Sequence, residues 1–206
     1  MASFYKTAAA LGLVALYGLQ SGAADTTTYK FQAVDVDDDA YFAAKLVRNG
    51  KLPVHIGEIE KDTSLVSGLK EKVAPSAELE QPGRTSEESC KKVMEESGLK
   101  DIFHHAFPYK ASPNYPGLFQ EALDAGLTVF KDKGYQNKWN EIWEIDAGAS
   151  LAYLLGSNST KIGCVIGKCI QVQTPDDGSP TESATGDAFL FCQLSPAADK
   201  NKAPFE

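Results

Sequence analysis

The chain has 206 residues, with 28 acidic side chains against 20 basic ones and a net charge of −8. That length suits one domain with a real core and leaves two domains cramped. An acidic chain repels phosphate backbones, so the charge speaks against nucleic-acid binding.

Residues 1–24 read as a signal peptide. Lys6 is the sole charge before Asp25, residues 7–19 are apolar, and Ser21-Gly22-Ala23-Ala24 supplies small residues for cleavage. The apolar run is short for a membrane span. The rest divides into an N-terminal arm and linker, 25–84, and a core domain, 85–206.

Tyr29 to Val36 includes alternating large apolar residues and predicts a strand. Asp37-Asp38-Asp39 open a short helix over 40–48, because acids suit the positive end of a helix dipole. Asn49-Gly50 ends it, and Leu52 to Ile59 predicts a second short strand. From 60 to 85 the chain is rich in Lys, Glu, Ser and Pro, which predicts a solvated helix followed by a linker around 75–82.

Thr85 with Glu88 three positions on is a capping-box pattern for a helix to about Ser97, stopped by Gly98. Asn114-Tyr115-Pro116-Gly117 starts another, where Leu118, Ala122, Leu123, Gly126, Leu127 and Phe130 share a face. Gly126 weakens such a helix unless another backbone packs close. Trp139, Ile142 and Trp143 share a face of a third helix, and 147–155 continues or restarts helically. The period then becomes two. Residues 161–174 and 187–194 predict an antiparallel hairpin joined by a polar loop, 175–186. Helices plus a small antiparallel sheet make an α+β fold.

Cys90, Cys164, Cys169 and Cys192 form an even set, which in a secreted chain predicts two disulfides with three pairings open. Zinc competes through Cys164 and Cys169, but four residues separate them in a strand-like run. No second close pair completes a tetrahedral site. The acid run from Asp35 to Asp39 fails as a calcium loop, since Ala40 occupies the sixth place and no glutamate stands near the twelfth. It reads as a helix cap and an exposed acidic face. His104 and His105 are neighbours, so they point different ways, one packed and one exposed. His55 is the remaining histidine. No Gly-x-Ser-x-Gly elbow and no phosphate-cradling glycine loop is present. The expectation is no enzyme, no metal and no cofactor. Asn158-Ser159-Thr160 is a glycosylation sequon and predicts an exposed turn.

Two stretches are more specific. Ser157 to Cys169, and Phe189 to Ala198 closed by Ala203-Pro204-Phe205, resemble the C-terminal signature of the CAP superfamily of secreted proteins. Tyr29-Lys30-Phe31, Val34 to Tyr41, Leu46 to His55 and Leu154 to Asn158, with the signal peptide, resemble the SAG family of Eimeria surface antigens over nearly the whole chain. This resemblance implies a CAP-like α/β/α three-layer sandwich. It implies a non-catalytic antigen shown on a parasite surface during host-cell attachment, with a host-cell surface molecule as partner.

The CAP pattern implies that Cys164 pairs with Cys192 and Cys169 with Cys90. It also puts the metal-cleft histidines of CAP domains near Cys90 and Ser150 here. None of His55, His104 and His105 falls at either place, so that cleft is expected to be lost. Members of the family usually continue into an apolar tail for a GPI anchor, and this chain stops at Glu206 without one. Membrane association is thus expected only through an anchor not seen here, in a product that is either truncated or released.

A second class is a CAP-type lipid or sterol binder, which requires an apolar cavity between helices. A third is a secreted hydrolase, which requires His104 or His105 beside a free acid in an open cleft. For an attachment surface the candidates are loops: 60–85, 107–117 and 175–186.

Overall fold

The computed structural model describes residues 26–49, 56–74, 79–80, 84–134, 138–176, 178–200 and 202–205. The expected signal peptide, His55 and most of the 75–82 linker lie outside these. Among the described residues the order is β1 (Thr26–Asp35), α1 (Asp38–Asn49), β2 (Glu60–Lys61), α2 (Thr63–Val73), β3 (Leu79–Glu80), α3 (Ser86–Glu96), β4 (Phe103–Pro108), α4 (Tyr115–Lys133), α5 (Trp139–Trp143), α6 (Asp146–Leu154), β5 (Lys161–Thr174) and β6 (Thr181–Ser195).

β5 is the centre of the sheet. Strand order is β3-β1-β5-β6-β4, with β2 running parallel beside the start of β5. The other pairings are antiparallel. β1 follows β5 from Thr26 opposite Thr174 to Asp35 opposite Val165. Strands from both sides of residue 84 thus share one sheet.

The pleat sends successive side chains to opposite faces. Cys164, Ile166, Ala188, Leu190 and Cys192 join residues of α1, α4, α5 and α6 in one core. Phe31, Val165, Cys169, Phe189 and Phe191 join α2 and α3 in a second core on the other face. The result is an α+β fold with helices on both sides of a mainly antiparallel sheet. Each large apolar side chain so buried contributes about 1.5–3 kcal/mol.

Both disulfides start on β5. Cys164 and Cys192 are opposed in register and join β5 to β6, while Cys169 joins Cys90 on α3 across the second core. No cysteine is free.

Two local solutions hold the first core together. Gly126 brings α4 against α6, where an added Cβ would stand 2.5 Å from Leu151 Cβ and 3.0 Å from the Ala147 carbonyl oxygen. Arg48, at the end of α1, is wholly buried. Its Nη1 donates to the carbonyls of Leu154 (2.7 Å) and Gly156 (3.1 Å), and its Nη2 to those of Gly57 (3.0 Å) and Ser159 (3.1 Å). Burial pulls the guanidinium down to about 10, far enough above neutrality to keep it charged. Four carbonyl dipoles replace its water, and this ties α1 to the end of α6 and the turn before β5.

The structure corrects several sequence expectations. The strand expected within 52–59 is absent over the described residues 56–59, and the two-residue β2 follows instead. The helix in 60–85 is not simply solvated, because Leu69 and Val73 of α2 are fully buried in the second core. β3 sits inside the expected linker and pairs with β1. β4 was not anticipated. The hairpin loop is shorter than 175–186, since 181–186 already belongs to β6.

Candidate functional site

β4 is an outer strand of the sheet, and the polar groups around it form the candidate site. His104 and His105 point to opposite faces of the strand; His104 is buried, and His105 is half-buried and not the exposed residue that the sequence suggests. His104 Nδ1 lies 2.9 Å from the Ile102 carbonyl oxygen, and Nε2 lies 3.2 Å from Asp146 Oδ1. Asp146 is in the first turn of α6, where the helix dipole favours a carboxylate. Its other oxygen is 3.4 Å from Lys91 Nζ on α3. The hydrogen bond from His104 leads in holding the Asp146 carboxyl at about 2 against an ordinary 3.8, with the charges of His104 and Lys91 adding to it. His105 turns to the opposite side and meets Glu121 of α4 at 3.3 Å.

Ser150 lies one turn further along α6. Its Oγ accepts from the His104 N–H at 3.0 Å and donates to the His104 carbonyl at 2.7 Å. The hydroxyl proton is thereby given to main chain and not to an imidazole. Nucleophilic catalysis needs a hydroxyl in reach of a base, and this serine faces no ring nitrogen.

A cleft of about 200 Å³ opens over this cluster, bordered by Glu87, Lys91, His104, Ala106 and Asp146. A second, of about 180 Å³, continues along β4 past Pro108 and Asp187, sharing Glu87, Ala106 and Phe189 with the first. A histidine beside a carboxylate in an open cleft is part of what the hydrolase expectation requires, but Asp146 is not a free acid, since Lys91 pairs with it. Ser150, the serine in the lining of the first cleft, is not aimed at the histidine ring.

The other sequence-predicted positions fall elsewhere. Asn158 is exposed in a turn, as a sequon requires. Cys90, Cys164, Cys169 and Cys192 are buried and paired. The acid run is committed to local partners: Asp37 caps the Asp39 N–H, Asp38 pairs with Lys61 and Asp35 with Lys70. Among the described residues, no group of three His, Cys, Asp or Glu side chains is arranged to hold a metal ion. Of the three candidate loops, Phe107 and Pro108 belong to β4, and 60–85 holds α2. Sequence reasoning missed Asp146 and Lys91 altogether. Nothing local marks them, as each meets its partner only in the folded sheet.

No protein-family model matches the chain, and no curated protein sequence matches it. Among solved structures it is similar to the Eimeria tenella surface antigen protein SAG19, with 20% identity and a TM-score of 0.47, over 86% of this chain and 93% of that one.

Proposed function

We propose that this protein works outside the cell as a disulfide-stapled surface antigen that attaches to a host-cell surface molecule, and that it catalyses no reaction. The observation that carries this reading is the complete pairing of four buried cysteines around one strand. Such staples persist in oxidising compartments and are rare in reducing ones. The leader-like residues 1–24 and the SAG-like stretches of the sequence point the same way. Ser150, spent on main-chain groups, supports the non-catalytic part.

The reading is tested by adding labelled mature protein to live host cells. Saturable binding that competes with unlabelled protein, and that survives EDTA and the double variant H104Q/H105Q, is the expected result. Absence of saturable binding, or a hydrolytic activity removed by H104Q, would overturn it. The clefts beside β4 hold about 180 and 200 Å³, small against the roughly 300–1,000 Å³ of ligand pockets. Neither of these two clefts is large enough to engulf a sterol.

A further inference from the structure

The outer edge of β4 is unevenly protected. Its inner edge is taken by β6, from Phe103 opposite Cys192 to Pro108 opposite Asp187. The His104 N–H and C=O instead point outward, to Ser150 Oγ. In an antiparallel ladder, main-chain groups that point outward recur at every second residue. The N–H and C=O of Ala106, and the C=O of Pro108, therefore point outward too. Among the described residues nothing outside β4 bonds the Ala106 main chain. Ala106 is exposed and borders both clefts.

The edge is thus sealed by Ser150 at one end and lacks a donor at Pro108 at the other. Between them stands one residue with a donor and an acceptor free in a groove. An unpaired strand edge is a template for another strand. The groove's charge narrows what fits. Glu87 stands over both clefts, and Asp187 borders the second, oriented by the Ser86 hydroxyl at 2.6 Å. Lys91, the lysine lining the first cleft, is engaged by Asp146, as is the His104 ring.

We infer that the open edge of β4 at Ala106 captures a short extended segment of a partner protein as an added strand, with a lysine or arginine of that segment held by Glu87 and Asp187. Main-chain pairing at Ala106 gives the register, and the two carboxylates select the charge. The inference does not need the attachment reading, since it concerns any partner offering such a segment.

The test titrates the ¹⁵N-labelled protein with acetyl-Thr-Val-Lys-Val-Thr-amide and follows the Ala106 amide by NMR. Saturable movement of that resonance is expected. Exchanging the peptide's lysine for glutamate weakens binding about five- to tenfold, through lost attraction and new repulsion. A106P deletes only an outward N–H, a place where an edge strand tolerates proline. It weakens binding about three- to tenfold, the scale of one hydrogen bond, read on the His105 and Phe107 amides because proline carries no N–H. E87K reverses the preference between the two peptides, and decides the matter should A106P fail to fold. An Ala106 amide unmoved at about 5 mM peptide, or no preference for lysine, overturns the inference. So does movement of that amide on concentrating the protein alone, which would give the edge to a second copy.

Discussion

His104 and Asp146, 42 residues apart in the chain, meet at 3.2 Å, and this contact closes the corner between β4 and α6. Lys91 holds the other side of the carboxylate, so three elements converge on one half-exposed acid.

Acid should loosen this corner in a defined window. The folded-state pKa of Asp146 is depressed from 3.8 to about 2. Its stabilisation is therefore full above about pH 5 and is lost as pH falls through 2. Because the side chain is about half exposed, solvent screening limits the effect to about 1 kcal/mol. D146N should be less stable than the wild type by about that amount at pH 6, and the difference should vanish near pH 2. Urea melts across pH check it.

Arg48 should be among the most sensitive positions. R48M removes the donors of four carbonyls and leaves buried acceptors unsatisfied, at about 1–3 kcal/mol each where water does not enter. A loss of about 3 kcal/mol or more is expected. R48K keeps the charge but not the fork, and should recover less than half. Equilibrium denaturation of both variants gives the comparison.

G126A sets two effects against each other. Alanine improves helix propensity by about 1 kcal/mol. The new Cβ would press on Leu151 and on the Ala147 carbonyl, and overpacking costs about 1–3 kcal/mol. The clash involves backbone that cannot swing aside, so net destabilisation is expected, seen as a lower Tm. A rise in Tm would mean that α4 and α6 are free to separate.

The two disulfides should differ in weight. They close loops of 79 and 28 residues, for which chain entropy gives about 4.5 and 3.6 kcal/mol. C90S/C169S should therefore lower stability more than C164S/C192S. Denaturation of the two double variants, with non-reducing peptide maps, provides the check.

The parts of this fold legible in the sequence are those whose signal is local. Thr85 and Glu88 make the capping box they spell. The alternation in Lys161 to Thr174 gives a long strand with one residue set in each core. Gly126 does face another helix. β4 was hidden because its six residues include two histidines, an exposed alanine and a terminal proline, a pattern that suits an edge strand and resembles a loop. Thr181 to Ala184 looked like loop because these residues bury little and are in register with β5 alone. The burial of Leu69 and Val73 depends on packing against strands distant in the chain, which the local pattern of α2 does not announce. The candidate cleft was the least legible, since Lys91, His104, Asp146 and Ser150 come from three separate elements.

The placement of β1 has a mechanical consequence. β1 begins beside Thr174, at the hairpin tip, while β6 finishes beside Lys161, at the far end of β5. Tension between those two points runs along the strands, so the rungs joining β1 to β5 are loaded in shear and resist together instead of unzipping singly. The Cys164–Cys192 link keeps β6 from sliding on β5 under the same pull. A molecule gripped at one end and tethered at the other would hold its shape under force.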